Sequence, residues 1–131
     1  MRSMIMLGAL ALAGCTTSAE LQASREATAA RDLAEALDGR VPGRPQNCIS
    51  STGVNGPQII DSSTLLYREG GRVWRTDLPG SCPSLNRFSI IVAELHGSQI
   101  CRNDLFRAVD PGSRIPGPHC RFGQFVPYTR K

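Results

Sequence analysis

Five cysteines are the residues of this 131-residue chain with the most definite chemistry. One stands alone behind an apolar leader, and four are spread over the rest of the chain: Cys15, and then Cys48, Cys82, Cys101 and Cys120. The last four are spaced by 34, 19 and 19 residues and include no C-x-x-C pair. Structural zinc sites normally contain such a pair, so two disulfides are predicted in preference to a metal site that adds His119. We therefore expect no metal and no cofactor.

The pairing of the four cysteines has three possible solutions, and the sequence does not choose among them. Cys82 and Cys120 both lie in stretches that resemble loop ends, which favours Cys48–Cys101 together with Cys82–Cys120. In an oxidising compartment each bridge would stabilise a small domain by ~2–4 kcal/mol. An exchange-active pair is not expected, because no C-x-x-C motif is present to lower a thiol pKa.

Cys15 follows a leader with one basic residue, Arg2, and an apolar run from Met4 to Ala13. This run is too short to span a bilayer, which requires ~20 apolar residues in a helix. It has the features of a secretory signal. Leu12-Ala13-Gly14-Cys15 resembles a bacterial lipobox, which implies a signal peptide over residues 1–14 and lipidation of Cys15 by diacylglycerol and palmitate-type chains.

The alternative is an ordinary signal peptide that is cleaved near Ala11 or Ala13 and leaves Cys15 unmodified. The odd number of cysteines argues against it, because lipidation of Cys15 leaves four that can pair. Thr16 follows the cysteine where an Asp would resemble an inner-membrane retention signal. We therefore expect a lipid anchor in the cell outer membrane, on its periplasmic side.

The side chains that could perform catalysis are scattered. His96 and His119 both lie in turn-like sequence without a neighbouring nucleophile motif. No G-x-S-x-G, H-E-x-x-H or phosphate-binding glycine loop occurs, and the carboxylates show no paired arrangement. We predict no catalytic residue. An enzyme would require a deep pocket with one of these histidines beside a carboxylate.

Arginine gives the chain its positive charge. From residue 41 onward there are ten Arg and one Lys against six acidic residues. Arg is suited to bidentate contact with carboxylate or phosphate, so Arg68 and Arg75 are possible anion-binding residues. The expected partners are an envelope protein or an anionic envelope polymer, and not nucleic acid, because interleaved aromatic residues are missing. The alternative is that arginine only confers solubility.

A helix is predicted from Ser18 to Asp38, with a capping box at Thr17 and a C-cap at Gly39. Its apolar stripe is thin and consists of Ala30, Leu33, Ala34 and Leu37. Residues 15–44 are therefore interpreted as the lipidated N-terminus and a helical spacer of ~30 Å. The alternative is a helix that binds a partner or forms a coiled coil.

Residues 45–131 are predicted to form one small β domain. The clearest element is a hairpin over Thr64–Thr76, with a two-residue turn at Gly70-Gly71. This register places Tyr67 opposite Trp74 on the core side and leaves Arg68 and Arg75 facing solvent.

Further strands are expected in four apolar segments, and a stiff loop is expected at Pro116–Pro118. The segments are 47–50, 58–61, 88–95 and 105–109, with a last strand at 122–128. The predicted fold class is mainly β: a small disulfide-stapled β-barrel or sandwich preceded by one N-terminal helix.

Three stretches carry a resemblance to a family: PQNCIS, IIDSSTLLYREGGRVWRTDLPGSCPSL and CRNDLFRAV. They resemble small, uncharacterised bacterial envelope proteins that have a lipoprotein-type leader and a domain of unknown function. The resemblance covers Pro45 to about Tyr128, with Trp74 where Tyr is common and Phe122 where Leu is common. It supports the domain boundary and implies no activity.

Together these features predict a non-catalytic bacterial lipoprotein, a periplasm-facing binding or structural module of the cell envelope. The alternative is an inhibitor of a cell-wall hydrolase or protease. In that case a loop such as Pro111–Pro118 would block the enzyme's cleft.

Overall fold

The computed structural model describes residues 18–131, which form one helix and ten strands. The elements are α1 (Ser18–Ala36), β1 (Arg40–Pro42), β2 (Cys48–Ser50), β3 (Asn55–Ile59), β4 (Thr64–Glu69), β5 (Arg72–Asp77), β6 (Ile90–Ala93), β7 (Gln99–Cys101), β8 (Leu105–Val109), β9 (Pro116–Arg121) and β10 (Phe125–Arg130). The leader, Cys15 and the Thr17 cap lie outside the described residues. Among the described residues, no helix is both long enough and apolar enough to cross a membrane.

The largest sheet is antiparallel, with strand order β1-β10-β5-β4-β3. Its centre is the β4–β5 hairpin, whose turn is Gly70-Gly71 with Gly70 at a φ of 57°. A two-residue turn requires this left-handed backbone, which glycine adopts without strain. Tyr67 pairs with Trp74 as predicted, and both side chains are buried.

The main core lies between this sheet and two smaller ones, β2-β7 and β6-β8-β9. Phe106, Phe122 and Phe125 are fully buried there and pack beside Tyr67 and Trp74. The sheets do not close into a barrel. The mainly β class with one N-terminal helix is therefore confirmed, and the arrangement is sandwich-like.

Two disulfides involve strands of the smaller sheets, and they have the pairing that the loop ends favoured. Cys48 and Cys101 are directly opposed residues of β2 and β7. Cys82, which is fully buried, joins the segment after β5 to Cys120 in β9. The bridges span 53 and 38 residues, so each is expected to stabilise the fold by about 4 kcal/mol through loop closure.

The helix differs from a free spacer, because its second half packs on the sheet face opposite the main core. Ala29, Leu33, Ala36 and Leu37 form a second cluster with Ile60, Leu66, Val73 and Tyr128. Of the predicted apolar stripe, Leu33 and Leu37 pack on the sheet, whereas Ala30 and Ala34 are exposed. Gly39 ends the helix with a φ of 68°, as the C-cap predicted.

Several strands depart from the sequence-based expectations, among them β7, for which no strand was predicted. β1 lies in the segment interpreted as spacer, yet it pairs with β10, so the sheet begins before residue 45. Pro116–Pro118, expected as a stiff loop, opens β9, which is an edge strand where proline is tolerated. In the apolar segment 88–95 only Ile90–Ala93 is strand, and it is also an edge, so Ile90 and Val92 are about half exposed.

Gly123 provides a test of how closely the segment before β10 approaches the end of β5. Its N–H donates to Thr76 Oγ1 at 3.1 Å, and a Cβ at this position would overlap the carbonyl oxygen of Asp77. Gly123→Ala should lower the free energy of unfolding by about 3 kcal/mol, because the backbone must move to make room. Gly71→Ala is the control, since its Cβ meets no atom within 4 Å. Equal urea midpoints for the two variants would contradict this packing.

Tyr67 provides a pH test of the main core. Burial raises the pKa of its phenol well above the ordinary value. The folded state therefore keeps Tyr67 protonated, whereas the unfolded chain loses the proton near pH 10. Stability should be complete below that pH and fall above it, by about 1.4 kcal/mol between pH 8 and pH 11.

Urea unfolding at the two pH values measures this loss. Tyr67→Phe should remove the loss due to this group, while Tyr128→Phe should retain it because Tyr67 is still present. The same pH dependence in Tyr67→Phe as in the wild type would contradict the assignment.

Candidate functional site

A cleft of about 420 Å³ lies where the end of α1 passes over the large sheet. We call it the charged cleft, and its lining residues are Asp32, Glu35, Ala36, Asp38, Arg40, Gln58, Arg68 and Arg130. Three of these residues are acidic and three are arginines, so the formal charges of the lining balance. The helix supplies Asp32 and Glu35, the turn after it supplies Asp38, and the sheet strands supply Arg40, Arg68 and Arg130.

The basic wall follows from the strand register. Arg40 of β1 is directly opposite Arg130 of β10, so the two side chains share one face of the sheet. Side chains alternate along a strand, so Arg130 shares its face with Tyr128, which packs with the helix. Arg68 lies on the same face as Leu66, another member of that cluster. Three guanidinium groups are thus gathered on the helix side of the sheet.

The acidic wall follows from helical spacing and from the helix position. Asp32 and Glu35 are three residues apart on α1 and therefore lie on one side of it, and Asp38 follows in the turn that ends the helix. Packing of Leu33 and Leu37 on the sheet orients that side towards the arginines. Acidic residues near a helix C-terminus oppose the helix dipole, and the last turn of α1 holds no basic residue. Helix stability therefore does not explain these carboxylates.

Two of the three arginines of the charged cleft, Arg68 and Arg40, donate hydrogen bonds to neutral oxygens. Arg68 donates from Nη2 to Oε1 of Gln58 at 3.0 Å, and Arg40 donates from Nη1 to the carbonyl oxygen of Gly71. Over residues 18–131 no ion pair within 4.0 Å joins either of them, or Arg130, to a carboxylate. The three arginines therefore form no direct ion pair with the acidic wall that faces them.

The acidic residues of the cleft differ in their contacts. Asp32 is 3.8 Å from Arg31 and 3.6 Å from Arg87, neither of which lines the cleft. In the described part of the chain no ion pair involves Glu35 or Asp38. These two carboxylates are the ones most available to a cationic group in the cleft.

The structure separates the two predicted anion-binding arginines. Arg68 lines the charged cleft, whereas Arg75 does not. Arg75 Nε is 3.0 Å from Oδ2 of Asp77. Partial burial acts to lower the pKa of Arg75, but the hydrogen bond and charge of Asp77, with a contribution from Tyr128, raise it overall. Arg75 already has its counterion, so Arg68 is the better candidate for contact with an anionic group.

The histidines lie elsewhere. His119 Nε2 is 3.2 Å from Oε1 of Glu94, and Arg107 approaches both ring nitrogens at 3.0 and 3.3 Å. This cluster is on the exposed face of β8 and β9, and the His119 side chain is 37 % exposed. The arrangement is a surface network beside a shallow cleft of about 210 Å³, while His96 is exposed in a bend after β6.

The four paired cysteines are structural and present no free thiol. In the region the structure describes, no three His, Cys, Asp or Glu side chains are placed to hold a metal ion. The lipidation residue Cys15 lies outside that region. Among the described residues, the charged cleft is therefore the candidate site.

Sequence reasoning identified Arg68 but not the rest of the charged cleft. Asp32, Glu35 and Asp38 had a signal in their three-residue spacing at the helix end. Arg40 and Arg130 had none, because they are neighbours only through the pairing of β1 with β10. The cleft could be found only after the helix had been placed on the sheet.

No curated protein and no solved structure matches the chain. A family model does match it, over residues 1–131, and its description is a family of unknown function, DUF6491. This agrees with the resemblance to an uncharacterised family and extends it over the whole chain. The chain belongs to the DUF6491 family.

Proposed function

We propose that this protein is a non-catalytic, lipid-anchored binding module of the bacterial cell envelope, held at the outer membrane and facing the periplasm. The proposed localisation rests on the lipobox-like Leu12-Ala13-Gly14-Cys15 and on two disulfides, because disulfides form in oxidising compartments. The membrane contact is the lipid on Cys15. The partner is an envelope protein or polymer, and nucleic acid is not expected.

The charged cleft is the observation that carries the binding function. Arg68 and Arg40 are positioned by Gln58 and Gly71, and no ion pair within 4.0 Å joins them to the carboxylates of the cleft. Arginines that are fixed in place without a counterion lose little entropy when they bind an anionic group. Their combination with Glu35 and Asp38 favours a partner that carries both signs of charge over a simple polyanion.

The exposed first half of the helix supports a spacer that is shorter than the whole helix. Residues 18–27 are all exposed, whereas the later turns pack on the sheet. Ten helical residues extend ~15 Å, about half of the length expected for a spacer made of the whole helix. The packed half of α1 belongs to the binding domain, because it supplies one wall of the cleft.

One observation favours the alternative, an inhibitor of a cell-wall hydrolase or protease. The turn after β8 is rigid, since Asp110 Oδ2 accepts a hydrogen bond from the Ser113 N–H at 2.7 Å and Arg114 N–H donates to the Asp110 carbonyl at 2.8 Å. The Ser113 N–H hydrogen bond is also the main cause of the lowered pKa of Asp110. The turn presents Ile115 with 67 % exposure, a feature suited to insertion into a cleft.

Intact mass spectrometry of the protein from bacterial membranes tests the proposed anchor. We expect a chain that begins at Cys15, carries acyl chains, and gains four hydrogens on reduction as its two bridges open. Cys15→Ser should lose the acyl mass and leave the membrane fraction, but keep both bridges. An unacylated wild-type chain, or one with four free thiols before reduction, would contradict the proposal.

Capture from envelope extracts tests binding and separates the two functions. Immobilised wild-type protein should retain an envelope polymer or protein, and Arg68→Gln should weaken this capture, whereas Arg107→Gln on the other sheet should not. Capture of a muramidase or protease that depends on Ile115 and is unaffected by Arg68→Gln would instead support the inhibitor. No capture by the wild type would contradict both.

A further inference from the structure

We infer that the charged cleft binds a zwitterionic ligand: an amino acid or short peptide with a free carboxylate and a free ammonium group. This rests on the proposed binding function and specifies its ligand. The peptide can be free or part of a larger envelope polymer, because the chemistry that the cleft recognises is the same. The inference uses the size of the cleft, its separated charges and the positions of its side chains.

Size and lining restrict the ligand class. A volume of about 420 Å³ lies at the small end of ligand sites, which typically measure ~300–1,000 Å³. Ala36 is the only apolar residue of the lining, so an apolar ligand or an acyl chain would find little to contact. A small, strongly polar ligand of the size of an amino acid or dipeptide fits both properties.

The charge distribution selects a dipolar ligand. A polyanion would be attracted by Arg40, Arg68 and Arg130 but repelled by the carboxylates on the helix, and a polycation would meet the reverse. A molecule with opposite charges at its two ends can face both walls with favourable interactions. The like-charged Arg40–Arg130 pair, which by itself is destabilising, becomes favourable when a carboxylate lies between the two side chains.

Each wall has free hydrogen-bonding capacity of the required kind. Gln58 accepts one of the five N–H donors of Arg68, which leaves four N–H groups on its guanidinium for a ligand carboxylate. Glu35 and Asp38 can accept hydrogen bonds from an ammonium group, while Asp32 is already shared with Arg31 and Arg87. We therefore assign the carboxylate end of the ligand to the sheet and the ammonium end to the helix.

Titration calorimetry with the dipeptide alanyl-alanine tests the assignment, using the full mature protein in detergent. N-acetylation of the dipeptide removes its ammonium group, and C-terminal amidation removes its carboxylate. Each blocked form should bind at least tenfold more weakly than the free dipeptide. Equal affinity for free and blocked dipeptides would overturn the inference.

Matched variants locate the two ends. Arg68→Gln should lose discrimination against the amidated dipeptide, and Glu35→Gln should lose discrimination against the acetylated one. Arg107→Gln and Glu94→Gln, which alter two partners of His119 away from the charged cleft, are the controls and should bind like the wild type. Circular dichroism establishes that each variant is folded. Retention of both discriminations in the two cleft variants would overturn the inference.

A parallel arm distinguishes failure of the ligand assignment from failure of the proposed function. Purified cell-wall polymer, with its amino groups free or acetylated, is tested for capture by the same proteins. Loss of capture on acetylation supports a zwitterionic group on the polymer. If capture of the polymer is unchanged by acetylation and by Glu35→Gln, the ligand assignment is refuted but the proposed binding function still stands. No binding of dipeptide, polymer or any envelope fraction would refute both.

Discussion

The structure depends on one ribbon, the β4–β5 hairpin, that is buried on both faces. Tyr67 and Trp74 project into the core between the sheets, while Leu66 and Val73 project under the helix. This ribbon packs against the main core on one face and against the helix on the other. Its register therefore decides which side chains enter each of the two clusters. The turn at Gly70-Gly71 sets that register, and a shift by one residue would exchange the two sets of side chains.

The disulfides compensate for the modest size of the other layers. β2 and β7 have three residues each, and the three-stranded sheet is open at both edges. Sheets this small bury little apolar area, and small domains commonly depend on covalent links. Cys48–Cys101 closes the two-stranded sheet on itself, and Cys82–Cys120 joins β9 to the segment that leaves β5. The large sheet, which has a layer on each face, contains no cysteine.

The charged cleft is a consequence of helix placement, and its residues conflict with local stability rules. Arg40 faces a like charge in Arg130, and Asp38 and Glu35 lie at the helix end that disfavours negative charge. Local conflicts of this kind concentrate at functional sites, where a ligand or partner relieves them. On the other sheet, Glu94 and Arg107 both contact His119 in an exposed network, so that carboxylate already has a partner.

The sequence by itself determined the mainly β class, the hairpin with its Tyr67–Trp74 pair, the cap at Gly39 and two disulfides. These features depend on local signals: alternation along a strand, glycines that tolerate a left-handed backbone, and the number and spacing of the cysteines. Only the tertiary structure decided that α1 covers the sheet, that β1 pairs with β10, and that Arg68 shares a cleft with Glu35. Those outcomes depend on contacts between residues that are distant in the sequence. The thin, alanine-rich apolar stripe of α1 does not show by itself which surface the helix packs against.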